Sequence, residues 1–383
     1  MKKAFSIILA VLLVLAVVVS CNYDDLVDDM FGFVVTFDAN GGTGTMESQR
    51  YTMEGGKLPA NTFTYDGHLF GYWNTQKDGK GDSYGDGETV AFSQDTVLYA
   101  VWFIELTADT TELVAGKTYV NVTDDLSLTN RLSIRGDAEP VTIILRSDTV
   151  LKATKGIGVY GKQELIIDGP GKLVATSTDG NAGIGGVNED DKRDAGTIYI
   201  LDGIVVAEGA ENAAGIGGAD QGEGGVIAIY GGEILANGTV SGAGIGGGRN
   251  ASGGIIVIDG GEVIALGGKD AAGIGSGAKT GSEEVKGGMI TISGGYVLAV
   301  GGSHDDDDSQ GGAGIGGGRN ADSGDIAIGG TAMIRANGGG SKANGIGVGK
   351  GDGTPEEKAI AIDGVTIEVS EDGVTWTDRK SVV

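Results

Sequence analysis

The chain has one cysteine, four prolines and two histidines in 383 residues, and each scarcity closes off a class of protein. A single cysteine forms no internal disulfide, so the fold rests on packing and backbone hydrogen bonds. Four prolines without a strict Gly-X-Y period exclude a collagen-like rod. Cations are scarce too: 27 Lys and Arg stand against 53 Asp and Glu, a formal charge of −26. Such a surface repels nucleic acid and anionic lipid, and neither is expected as a partner. After the leader, phenylalanine is confined to residues 31–103. Nowhere beyond the leader is there a helical pattern long enough to compete with short strands.

What the chain has instead is glycine, 75 residues of it, against a usual share of about 7%. The composition is still 40% hydrophobic, and regularly spaced Ile, Val, Leu and Ala supply apolar surface that disordered chains lack. The glycine therefore serves a fold.

Residues 1–20 read as an export signal: Lys2 and Lys3 precede an apolar run from Ala4 to Val19, and Ser20 leads to Cys21. The sequence Val18-Val19-Ser20-Cys21 resembles a bacterial lipobox, with Val18 and Val19 departing from the usual residues. The resemblance implies that Cys21 becomes the first mature residue and carries lipid, anchoring an exported protein in a membrane, at the cell surface, without a spanning helix. A plain signal peptide or a single transmembrane anchor is the competing reading. Residues 21–32 then form a short acidic spacer.

The aromatic residues mark a separate segment, 33–103, of a size to bury a small aromatic core. Phe33, Val35 and Phe37 alternate, Asn40-Gly41-Gly42 marks a turn, and the segment ends in the strand-like TVLYAVW of Thr96 to Trp102. The stretches VTFDANGG (Val35–Gly42), GYWNTQKDGKGDSY (Gly71–Tyr84) and DTVLYAVW (Asp95–Trp102) resemble the Listeria-Bacteroides repeat, also called the internalin B-repeat. That resemblance implies a compact β-grasp-like fold, a place in bacterial surface proteins as spacer or adhesive module, and no catalytic residues. Trp73 is expected in the core with His68 on the surface.

From residue 104 to 383 a repeat governs the sequence. The isoleucines of the Gly-Ile-Gly units fall at Ile157, Ile184, Ile216, Ile245, Ile274, Ile315 and Ile346, at intervals of 27, 32, 29, 29, 41 and 31 residues. A period near thirty means stacked units. Each unit reads G-I-G, a variable loop, an I-x-I strand, a Gly-Gly turn and a V-x-A strand. Period-2 phasing sends Ile198/Ile200, Ile227/Ile229, Ile256/Ile258, Ile290/Ile292 and Ile326/Ile328 to one side. The expected fold is all-β: a parallel β-helix of about seven G-I-G coils with a C-terminal cap holding Trp376, preceded by the small β-grasp-like domain. Right-handedness follows the general preference of parallel crossovers. Glycine-rich A-G-I-G-G-G arrays of this kind resemble β-helix regions of bacterial surface proteins, some of them carbohydrate-binding.

The repeat disposes of two apparent nucleotide motifs. Gly242, Gly244 and Gly247 have the G-x-G-x-x-G spacing, but the unit is one of several copies and leads into a strand, not a helix. Gly273–Thr280 misses the P-loop at Ala278. Neither is expected to bind a nucleotide.

Outward positions are the better candidates. With Leu173/Ala175 through Ile334/Ala336 inward, Val174, Val206, Leu235, Ile264 and Leu298 form an outer apolar stripe that Arg335 ends. A covering domain or loop, or a flatter coil, is the alternative to partner binding. Arg249, Arg319 and Lys350 border the G-I-G face and are candidate anion sites, or else solvated cations offsetting local acidity. Asp305, Asp306, Asp307 and Asp308 in the loop Ser303–Gln310 are a Ca²⁺ candidate by their oxygens alone, lacking the alternating ligands of a defined motif. A solvated insertion is the other reading, and no other cofactor is expected. Arg135-Gly136-Asp137 offers an integrin tripeptide, a signal that arises by chance in glycine-rich chains.

Asp168, Asp259 and Asp363 recur before the Gly-Gly turn, with Glu233 and Glu262 after it, which fits turn capping rather than one assembled carboxylate site. His68 and His304 are the only histidines, and no Ser-His-Asp set presents itself. The expectation is a non-enzymatic, lipid-anchored surface protein, adhesin or glycan-binding, with a glycan or another surface protein as partner. A purely structural or assembly protein is the alternative, and a polysaccharide lyase or hydrolase the minority reading.

Overall fold

The computed structural model describes residues 32–306, 309–356, 360–363, 367–370 and 377–378, with the backbone alone for the last two segments. The export signal, Cys21, the spacer up to Phe31, Asp307, Asp308 and Trp376 lie outside the described residues. The chain divides into two compact units, Met1–Ile104 and Glu105–Val383. No helix occurs among the described residues.

In the first unit, Phe33–Asp38 runs parallel to the start of Thr96–Glu105, with Phe37 beside Leu98. Gln49–Tyr51 pairs with it antiparallel, and His68–Asn74 pairs antiparallel with Thr96–Glu105. The first and last strands thus lie side by side and parallel. Alternation decides the core: Val35, Phe37, Leu98 and Ala100 point inward with Leu58, Phe63 and Phe92. Trp73 is wholly buried at their centre, its ring 4.9 Å from Phe70, 5.0 Å from Phe37 and 6.0 Å from Phe63. His68 stays at the surface, stacked on Tyr65.

The second unit is a parallel β-helix of three sheets. The first sheet stacks I-x-I strands, from Thr118–Asn121 to Ile360–Ile362. The second stacks V-x-A strands, from Asp125–Leu128 to Ile367–Ser370. The third stacks the Ile-Gly pairs from Ile157–Gly158 onward, preceded in the same stack by Glu112–Val114 and Leu132–Arg135 of the first two coils. Register carries like onto like: Ile245 beside Ile274, Ile256 beside Ile290, Val263 beside Val297. Each coil leaves its aliphatic side chains with no partner of their own, and stacking buries Ile245, Ile256, Ile258, Val263 and Ala265 completely.

One corner differs from the expected strand-turn-strand. In two coils the Gly-Gly corner is a bend inside continuous strands, Ile255–Leu266 and Met289–Val300, with a register irregularity at Asp259. Gly261 and Gly295 supply the positive φ there. The second glycine of G-I-G has a stricter reason. Gly217, Gly246 and Gly275 have φ of +135°, +129° and +135°, and a β-carbon on any of them would overlap the carbonyl oxygen of the matching glycine one coil on.

Candidate functional site

The outer face of the second sheet is built by alternation. Because Leu173/Ala175, Val205/Ala207, Ile234/Ala236, Val263/Ala265 and Val297/Ala299 are buried, the residue between each pair must face out. Register sets these residues in one column: Lys152, Val174, Val206, Leu235, Ile264, Leu298 and Arg335. The five apolar members are half-buried by one another. A second column beside it runs Lys172, Ile204, Glu233, Glu262, Tyr296 and Met333. Between the columns lies a shallow concavity of about 210 Å³, lined by the aliphatic Ile204, Val206, Ile234, Leu235 and Ile264 together with Glu233 and Glu262.

Two of the three candidate cations have their charged groups engaged within the chain. Arg249 grips Asp220 with two bonds, Nε to Oδ1 at 3.0 Å and an Nη nitrogen to Oδ2 at 2.9 Å. Arg319 donates to Gln310 at 2.9 Å and to Asp270 at 3.3 Å. Lys350 is fixed by its backbone to Gly311. The positive charge of both arginines thus answers in-chain carboxylates before it meets any solute anion.

Sequence reasoning missed the setting of the Asp-rich loop. Its insertion occupies the same corner as Asp270, one coil on. His304 places Nδ1 3.0 Å from both Asp270 oxygens, Lys269 bonds Asp305 at 2.8 Å, and Arg319 closes over Asp270. Asp270 keeps only 7% of its side chain exposed. The hydrogen bond from Lys269 holds the Asp305 carboxyl below its ordinary range, and the same bond raises Lys269. Among the described residues no three His, Cys, Asp or Glu side chains converge on a metal site. Asp270→Asn keeps the left-handed backbone that Asx tolerates (φ +66°) but removes the charge on which His304 and Arg319 converge. It is expected to cost about 1–3 kcal/mol and to speed proteolysis between Ser303 and Gly311, measured by limited digestion.

Other sequence candidates are placed as follows. Arg135 of the RGD tripeptide pairs with Glu112 at 2.9 Å. Asp168 accepts the Gly169 N–H at 2.8 Å, a turn cap, whereas Asp259 reaches up a coil to Ser293 at 2.6 Å. Burial, with Asp194 adding to it, raises the Glu223 carboxyl. An open polar cleft of about 510 Å³ is lined by Lys279, Thr280, Arg319, Asn320, Asp322 and Thr354, from loops of successive coils. Its walls are pinned by Asn250, which accepts from Thr280 and Gly281, and by Asn320, which accepts from Gly353.

The architecture is that of a glycine-cornered parallel β-helix following a small aromatic-cored β-domain. Residues 33–101 match the Listeria-Bacteroides repeat domain, and residues 198–220, 227–249, 256–278 and 290–319 match the beta helix repeat. No curated protein and no solved structure matches the chain.

Proposed function

We propose that this is an exported, lipid-anchored surface protein, non-catalytic, whose β-helix is a rigid adhesive module that docks a partner through the outer face of its second sheet. The observation that carries the reading is the in-register column Val174, Val206, Leu235, Ile264 and Leu298. Five stacked apolar residues on a solvent face form a contiguous patch of the kind that marks contact surfaces, and the hydrogen-bonded coils hold it without an ordering cost on binding. Lipid anchoring through Cys21 places such a module on a membrane. On fractionation, Cys21→Ser is expected to move the protein from the membrane to the soluble fraction; retention on the membrane would reject the lipid anchor.

Glycan binding is the second reading, favoured by the polar cleft with Lys279, Asn320 and Thr354, whose size suits a short hydroxylated chain. A glycan array, including acidic polysaccharides with Ca²⁺, separates the two. Hits lost in Lys279→Ala support the cleft, and an array without hits removes the carbohydrate reading. Turnover of a pectin-like substrate would overturn the non-catalytic one.

A further inference from the structure

The concavity on the second-sheet face carries a chemical signature of its own. Glu233 and Glu262 are partners in register on adjacent coils, about 4.8 Å apart along the stack. Like charges set directly opposite in a sheet destabilise it, yet among the described residues neither carboxylate makes a hydrogen bond or an ion pair. The cation in their column, Lys172, is two coils from Glu233, about 10 Å away. The rest of the concavity's lining is aliphatic: Ile204, Val206, Ile234, Leu235 and Ile264. The concavity's volume, about 210 Å³, falls below the roughly 300–1,000 Å³ of pockets for drug-sized ligands and is of the order of one long side chain.

We propose that this concavity seats a lysine or arginine side chain of a partner protein. The methylene stem lies along the aliphatic lining, as such stems do on apolar surfaces, and the charged head sits between Glu233 and Glu262. There it forms charge-assisted hydrogen bonds with the two carboxylates. The column on either side supplies the apolar contact, so the matching surface is basic at its centre and aliphatic around it. This inference rests on the docking role of the face and adds the partner's chemistry.

The test uses the purified protein and a labelled short peptide of leucine and arginine, with citrulline replacing arginine in a neutral counterpart, read by fluorescence anisotropy at low salt. The arginine peptide is expected to bind, the citrulline peptide to bind at least tenfold more weakly, and E233Q/E262Q to weaken only the arginine peptide, by at least tenfold. Both glutamates are exposed, so the variant keeps the fold, checked by circular dichroism. If E233Q/E262Q changes nothing while L235E/I264E abolishes binding, the face docks partners but the cation seat is wrong. If neither pair of substitutions matters, or the wild type binds no arginine peptide, the cation seat falls, and the docking role is then decided by cell adhesion alone. If spermine binds through the same two glutamates and the peptide does not, the ligand is a free polyamine and the protein-docking proposal is overturned.

Discussion

Gly246→Ala is expected to destabilise the β-helix by about 3–4 kcal/mol, roughly 1–2 from a left-handed backbone and about 2 from forced overlap. The oxygen that the new β-carbon would strike, that of Gly275, already accepts the Gly247 N–H at 2.9 Å. Neither coil can yield without breaking that bond and its equivalents along the stack. For a unit of this size the loss corresponds to a fall of about 10 °C in Tm. Gly161→Ala is the control: φ there is +63°, but nothing lies within 4 Å of an added β-carbon, so it costs about 1 kcal/mol. Thermal melts of the two variants check the account, and equal losses would contradict the close-approach explanation for the G-I-G motif.

Trp73→Ala is the second large effect. Removing a wholly buried indole that contacts Phe37, Phe63 and Phe70 costs about 3–5 kcal/mol. A single core in a unit this small rarely supplies more than about 3–5 kcal/mol in total, so residues 33–104 are expected to unfold. The β-helix has a separate core of stacked aliphatics and is expected to melt at its usual temperature. Differential scanning calorimetry should show one transition lost and one kept. Two unchanged transitions would contradict the core role of Trp73, and a matching fall in both would contradict independent folding.

The sequence was most legible where a period of two coincides with a period of thirty. Inward Ile256/Ile258 and Val263/Ala265, and outward Leu235 and Ile264, follow from alternation alone, because a slip of one residue would bury the polar face and expose the apolar one. The stack hides more than it shows for polar residues. Asp220 and Arg249 hold the same place after the isoleucine in consecutive coils, so register already implies their bond. Read singly, Arg249 looks like a free cation. The bond from Arg319 to Asp270 spans 49 residues and two different corners, and it rides on a backbone bond from the Arg319 N–H to the Asp270 carbonyl that recurs at this place in the coils before, as Arg249 to Asn212 and Ala278 to Ser241. The Gly-Gly bend inside Ile255–Leu266 was hidden for another reason: paired glycines carry the signal of a chain-reversing turn and of a bend alike.

The central claim is that the outer face of the second sheet is the contact surface, and cell adhesion measures it most directly. Beads coated with wild-type protein, with L235E/I264E, or with T291E, an outward position of the first sheet in register with Val257, are allowed to settle on cells and are then washed under flow. Circular dichroism establishes that all three proteins are folded. The account predicts that L235E/I264E loses at least nine-tenths of the retained beads, an order-of-magnitude drop from burying unpaired charge at a contact, while T291E retains as many as wild type. Equal retention by wild type and L235E/I264E would contradict it.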